Sequence, residues 1–152
     1  MKSPQIDPQQ ALLFRYFNEI GIINQLASTR FEQRLPDGLT LPQFSVLNRF
    51  VRLGGTATPA QLASAFQVTR GAMTNTLTRL EARGSIRIEP DPADGRRKLV
   101  TLTAAGRRLR NRAIAAIAPD LARVAAALEP QLLEAQLPAL VAVREWLDEH
   151  RL

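Results

Sequence analysis

Apolar residues recur along most of this chain with the period of an α-helix, and only one short stretch alternates with the period of a strand. From Asp7-Pro8, an N-cap followed by a proline suited to the first helical position, Leu13, Tyr16, Phe17, Ile20, Ile23, Ala27 and Phe31 follow at near-helical spacing. They predict a long first helix to about Leu35, broken by Pro36-Asp37-Gly38. Thr40-Leu41-Pro42-Gln43 and Thr58-Pro59-Ala60-Gln61 both have the capping-box spacing. The first predicts a helix over Leu41 to Leu53 that buries Phe44, Leu47 and Val51 and stops at Gly54-Gly55; the second predicts a short helix from Pro59 to Phe66.

Only Gln67-Val68 separates that short helix from the next, which Thr69 caps and Gly84 ends. Plotted at 100° per residue, Met73, Leu77 and Leu80 gather within about 60° of one another. Gly71, Asn75 and Thr78 lie opposite, flanked by Thr74 and Arg79. Two helices joined by so brief a turn, the second with a hydrogen-bonding outer face, predict a helix-turn-helix. The alternating runs Ile86-Arg87-Ile88-Glu89 and Lys98-Leu99-Val100-Thr101-Leu102 flank a tip rich in proline, aspartate, glycine and arginine. They predict a hairpin with a basic tip, so that helix and hairpin together make the parts of a winged helix.

Thr103 caps a further helix that carries Gly106, Leu109, Ala113, Ile114 and Ile117 and continues to about Leu128, with Pro119 expected to kink or split it. After Glu129-Pro130 a last helix carries Leu132, Leu133, Leu137, Leu140, Val141, Val143, Trp146 and Leu147, with Pro138 inside the run. On a single copy Leu133, Leu137, Leu140 and Leu147 would be exposed, which favours a helical dimer interface; an intramolecular three-helix core is the alternative. The division expected is residues 1–38 as an N-terminal dimerisation helix, 39–103 as the winged helix-turn-helix lobe, and 104–152 as C-terminal helices completing the dimerisation region.

Charge sharpens this division. Residues 68–112 hold eleven Lys/Arg and four acids, a net +7, whereas the remainder sums to −1 out of an overall +6. A basic third on a near-neutral body suits a polyanion, although solvated charge runs are common and eighteen of the twenty cations are arginine. No apolar run approaches the ~18 residues of a membrane span, and Met1 to Asp7 contains no apolar signal segment, so a cytoplasmic protein without a membrane partner is expected. With no cysteine and the single histidine, His150, near the carboxyl end, neither a disulfide framework nor a tetrahedral zinc site of the usual ligands can be built in one chain. No catalytic constellation and no cofactor motif is present, and an enzyme is not expected.

Leu39 to Phe44, Leu62-Ala63, Val68-Thr69, Leu77, Leu80-Glu81, Gly84, Asp91 to Arg97 and Val100 to Gly106 together resemble the MarR (multiple antibiotic resistance regulator) family of bacterial transcription factors. Asp94-x-Arg96 running into Leu102-Thr103-x-x-Gly106 is the most specific part, and the likeness spans about residues 8 to 150. The resemblance implies a mainly α homodimer with six helices and a two- or three-stranded wing per subunit, the terminal helices intertwined. It implies a regulator, usually a repressor, that binds double-stranded DNA at pseudopalindromic promoter sites and is released by a small aromatic or phenolic effector.

Matched by position, Arg70, Gly71, Thr74, Asn75 and Thr78 would face the bases, with Asn75 suited to adenine and Gly71 allowing close approach. Arg96 would enter the minor groove with Asp94 orienting its guanidinium, and Thr69, Arg97 and Lys98 would contact phosphate. Arg15, Tyr16, Asn18, Phe44, Asn48 and Arg52 are the residues expected to hold the effector. Simpler readings stand beside these: Arg79 and Arg83 paired with Glu81 or other acids, Asp94 as a turn former, Arg96 as a solvated loop residue, and the six effector residues as ordinary core or surface. Two departures from the family pattern are Gln67, where the turn often carries glycine, and the prolines 119 and 138 in helices that usually run straighter. A winged-helix architectural or protein-interaction module without an effector is the alternative function.

Overall fold

Three helices of this protein begin in the same way, and the side chains responsible are the ones the capping signals name. The computed structural model describes residues 6–151; residues 1–5 and 152, at the outer ends of the terminal segments, lie outside it. In α1 (Pro8–Glu32) the Asp7 carboxylate accepts from the Gln9 and Gln10 amides at 2.8 and 3.1 Å, and Gln10 Oε1 accepts from the Asp7 amide in return. Thr40 and Gln43 exchange the same pair of bonds at the start of α2 (Leu41–Leu53), as do Thr58 and Gln61 at the start of α3 (Pro59–Ala65). Each box satisfies two main-chain donors, or three at α1, that a helix start otherwise leaves open.

The chain divides into one unit ending at Ala116 and a second from Ile117 onward. The first contains α1, a short 3-10 turn at Pro36–Gly38, α2, α3, α4 (Arg70–Ala82), β1 (Ile86–Pro90), β2 (Lys98–Leu102) and the start of α5 (Ala104–Ala127). Its core gathers Val46, Leu47 and Phe50 of α2, Leu62 and Ala63 of α3, Met73, Leu77 and Leu80 of α4, Ile86 and Val100 of the strands, and Leu109 and Ala113 of α5. Phe31 packs edge-on against Phe44, ring centroids 4.6 Å apart, and so seats the end of α1 on α2. β1 and β2 pair antiparallel from Ile86↔Leu102 to Pro90↔Lys98, and Ala57 adds a single bridge to Val100, the rudiment of a third strand.

Several boundaries differ from the expectation. α1 stops at Glu32 because Pro36 holds Leu35 in extended backbone (φ −63°, ψ 128°), a restriction any residue before proline feels. Val51 is only half-buried; the inward stripe of α2 passes through Val46, Leu47 and Phe50. α1 buries none of its residues, and Leu13, Phe17 and Ile23 from its expected stripe stay exposed along with Leu12, Phe14 and Leu26.

The second unit contains the rest of α5 and α6 (Pro130–Glu149). Both helices run unbroken through their internal prolines, Pro119 and Pro138, so neither splits its helix. Each proline forfeits one main-chain bond, and the alanines and leucines around it, good helix formers, carry the helix across. Nothing in α6 is buried: Leu132, Leu133, Leu137, Val141, Trp146 and Leu147 are exposed, and Leu140 and Val143 half-buried. His150 closes the helix, its ring stacked on Trp146 at 4.3 Å and its Nδ1 2.8 Å from the Trp146 carbonyl. Among the described residues no helix is long and apolar enough to cross a membrane, and no cluster of His, Asp and Glu could hold a metal ion.

Candidate nucleic-acid interface

The turn between α3 and α4 is made by a non-glycine residue in a left-handed conformation. Gln67 has φ +53°, its amide donates to the Ser64 carbonyl at 3.1 Å, and the Val68 amide reaches the Ala63 carbonyl at 3.1 Å. Left-handed backbone costs a residue with a Cβ roughly 1–2 kcal/mol. Gln67 offsets part of this by donating from Nε2 to the same Ser64 carbonyl at 2.8 Å. Thr69 then accepts from the Ala72 amide at 3.1 Å, and α4 begins. The departure from glycine at the turn therefore keeps the helix-turn-helix geometry at some energetic cost.

α4 buries Met73, Leu77 and Leu80 and exposes Arg70, Gly71, Thr74, Asn75, Thr78 and Arg79. Thr74 and Thr78 donate their hydroxyl protons back to the Arg70 and Thr74 carbonyls at 2.8 and 2.9 Å. Arg79 Nε donates to Asn75 Oδ1 at 3.3 Å. Arg83, at the helix end, turns inward: it donates to Gln43 Oε1 at 3.1 Å and to the Asp37 carbonyl at 2.8 Å, while the Asp37 carboxylate pairs with Arg112 of α5. Glu81 takes neither arginine. Its Oε1 accepts the Ile88 amide at 3.1 Å and ties the base of the hairpin to α4.

At the hairpin tip the Asp91 amide donates to the Arg97 carbonyl at 2.8 Å and the Arg97 amide to the Asp94 carbonyl at 2.9 Å. Both aspartates also act as turn formers, Asp91 Oδ1 accepting from the Ala93 amide at 2.9 Å and Asp94 Oδ1 from the Arg96 amide at 3.1 Å. Asp94 thus shapes the main chain that carries Arg96, and its carboxylate bonds that main chain and not the guanidinium expected from the family pattern. Arg96 is exposed at the tip. The far end of the hairpin is locked to α4 by Thr103, whose hydroxyl donates to the Gly84 carbonyl at 2.6 Å and accepts from the Gly106 amide at 3.0 Å.

Helix and hairpin enclose a cleft of about 440 Å³ lined by Thr58, Pro59, Ala60, Arg70, Thr74, Arg96, Arg97 and Lys98. Four of these are cations and none is a carboxylate, so the cleft concentrates positive potential where a polyanion could enter. A smaller neighbouring cleft of about 320 Å³ brings Thr74, Thr78 and Lys98 together with Pro59, Leu77, Ile88 and the carboxylate-bearing Glu81. The structure thereby gathers Arg70, Thr74, Thr78, Arg96, Arg97 and Lys98, with Gly71 and Asn75 exposed on the same helix and Thr69 at its cap. Thr58, Pro59 and Ala60 were not expected there; the capping box marked them as a helix start and gave no sign that this start borders the hairpin.

The six residues expected at an effector site are distributed differently. Arg15, Asn18 and Arg52 are exposed, Tyr16 is half-buried and Phe44 buried. Asn48 Oδ1 accepts from both Nε and Nη2 of Arg110, at 3.0 and 2.9 Å, a partner 62 positions away that no local pattern signals. Tyr16 Oη is buried without a hydrogen-bond partner.

A sequence model described as MarR family matches residues 37–97, which run from the connector before α2 to the hairpin tip. The transcriptional regulator HosA of Escherichia coli O111:H- is 36% identical over 99 residues, covering 65% of this chain and 72% of its own. The HTH-type transcriptional repressor Rv2887 of Mycobacterium tuberculosis is 40% identical over 93 residues, 61% of this chain and 66% of its own. Among solved structures, a cysteine-to-serine mutant of MarR from E. coli, in complex with operator DNA, superposes with a TM-score of 0.65 at 28% identity, over 89% of this chain and 99% of that one. The winged helix-turn-helix built above and a relative more than a third identical over most of its own length lead to one conclusion: this chain belongs to the MarR family.

Proposed function

We propose that this protein is a homodimeric transcriptional repressor that binds double-stranded DNA at a pseudopalindromic promoter site and is released by a small aromatic or phenolic ligand. The observation that carries the reading is the cleft between α4 and the hairpin, with four cations, no carboxylate and the polar face of α4 beside it. In this reading α4 enters the major groove with Arg70, Gly71, Thr74, Asn75 and Thr78 toward the bases. Arg96 reaches into the minor groove from the hairpin tip, held by a turn that Asp94 closes, while Thr69, Arg97 and Lys98 meet phosphate. That the E. coli MarR relative is held on operator DNA supports this docking.

Dimerisation follows from the outer helices. Leu12, Leu13, Phe14, Ile23 and Leu26 of α1 are exposed, as are Leu132, Leu137 and Trp146 of α6, and each set is apolar surface of the kind a second copy covers. Two copies related by a two-fold axis would set their α4 helices about one turn of duplex apart, ~34 Å. Residues 1–38 and 104–152 serve this pairing, and 39–103 the DNA. The effector reading rests on Tyr16, whose buried hydroxyl lacks a partner and would gain one from a ligand acceptor; Arg15, Asn18, Phe44, Asn48 and Arg52 complete the neighbourhood, Asn48 after exchanging Arg110 for the ligand.

Titration of promoter and scrambled duplexes across a salt series tests the proposal, with sedimentation reporting the oligomer. The expected result is a dimer that prefers its cognate duplex at every salt concentration and loses affinity on addition of an aromatic carboxylate. Equal binding of both duplexes with a steep salt slope would leave phosphate contact alone, as for an architectural module.

A further inference from the structure

The hydrogen-bond roles already taken on the outer face of α4 determine what that face can still offer to a base edge. Arginine has only donors, so the bond from Arg79 Nε to the Asn75 side chain assigns the amide: Oδ1 faces Arg79, and the NH₂ is the end left for a partner. Pairing with adenine needs both ends, the oxygen to accept from N6 and the nitrogen to donate to N7. The oxygen keeps a second lone pair, but the guanidinium on the first crowds that side of the amide with donors, which adenine's N6 donors would meet. Guanine, whose major-groove edge presents N7 and O6 as acceptors, meets Asn75 Nδ2 and the remaining nitrogens of Arg79 with complementary roles.

The threonines one position back follow the same logic. Thr74 and Thr78 give their only protons to carbonyls of their own helix at 2.8 and 2.9 Å. Each side chain can then offer a base an accepting oxygen and a methyl group, and the methyl is the group that distinguishes thymine among the bases. Residues 74 and 78 form one ridge, a helical turn apart, beside the parallel ridge of 75 and 79. We propose that α4 reads guanine through the Asn75–Arg79 pair and the C5-methyl of thymine through Thr74 and Thr78, so that Arg79, outside the set expected to contact bases, determines which purine Asn75 accepts.

This specificity rests on α4 being the groove-entering helix, and the test separates the two. Duplexes selected from a randomised pool by the full-length protein are sequenced for the wild type and for Asn75→Ala, Thr74→Ser and Arg79→Ala. The expected motif has a guanine whose selectivity Asn75→Ala abolishes and a thymine whose selectivity Thr74→Ser relaxes. Replacing that guanine by 7-deazaguanine should weaken wild-type binding about tenfold, and replacing that thymine by uracil about fourfold, with neither effect in the corresponding variant. Arg79→Ala removes the donors beside the Asn75 oxygen and should move the preference at that position from guanine to adenine, a gain that a misfolded variant could not produce. A motif with adenine at the Asn75 position in the wild type, guanine retained by Arg79→Ala, or uracil bound as well as thymine would overturn the inference and leave the regulator reading intact. A pool with no enriched motif would defeat both.

Discussion

Gly106 stands where two main-chain segments come closest, and adding one methyl group there is a quantitative test of the fold. A Cβ on Gly106 would lie 2.0 Å from the Ser85 carbonyl oxygen, 2.9 Å from its carbon and 2.8 Å from Leu102 Cδ1. Leu102 can rotate away. Ser85 cannot, because its carbonyl accepts the Thr103 amide at 3.2 Å, its own amide donates to Leu80, and the residue is 2% exposed. Restoring an ordinary carbon-to-oxygen contact of about 3.3 Å requires the first turn of α5 to retreat by more than 1 Å from a site at 2.0 Å, stretching both Thr103 bonds. Overpacking of this kind costs about 1–3 kcal/mol and a weakened bond about 1 more, against about 1 kcal/mol of helix propensity gained by alanine. Gly106→Ala should therefore lose about 1–3 kcal/mol, a fall in Tm on the order of 2–12 °C for a chain of this size. Thermal melts are compared at one protein concentration, since association raises the apparent stability of a dimer. Gly71→Ala is the control of opposite sign: nothing lies within 4 Å of its added Cβ, so it should gain about 0.5–1 kcal/mol and yet bind DNA more weakly. A Gly106→Ala protein melting within about a degree of the wild type would refute the reasoning.

Three further outcomes are expected. Gln67→Gly should raise the urea midpoint by the equivalent of about 1 kcal/mol, because glycine accepts φ +53° without strain; a lower midpoint would mean that the Nε2 bond to Ser64 outweighs the strain. Arg83→Met removes two bonds from the end of α4, one to Gln43 of α2 and one to Asp37 of the connector before it, and should cost about 2 kcal/mol in equilibrium unfolding, where a merely solvated arginine would leave stability unchanged. Tyr16→Phe deletes a buried hydroxyl without a partner and should hold or raise stability by about 1 kcal/mol while abolishing the response to aromatic acids; a variant that still responds would remove Tyr16 from the effector site.

Local chemistry made much of this architecture readable in advance. Capping boxes at Thr40 and Thr58, the cap at Thr69 and the stop at Gly84 are short-range signals, and the helices follow them within a residue or so. The hairpin was equally legible, because alternation over residues 86–89 and 98–102 puts Ile86, Ile88, Val100 and Leu102 on the face that packs on the core. What could not be read were partnerships across long stretches of chain: Arg110 with Asn48, Arg83 with Gln43 and Asp37, and the start of α3 with the hairpin cations. The bonds within α4 were hidden for a different reason. A helical wheel places Thr74 and Asn75 on the outer face, but which of their atoms are already committed depends on rotamers that spacing does not encode.

The exposed apolar residues of α1 would have a genetic consequence in the proposed dimer. A subunit that has lost its grip on DNA but keeps its outer helices intact would still be recruited by healthy subunits, and most of the assemblies in a cell making both would hold at least one defective member. Lesions in α4 or at the hairpin tip should therefore act dominantly over a wild-type allele, whereas lesions that put charge on Leu13, Phe14 or Leu26 should be recessive, because the damaged chain excludes itself.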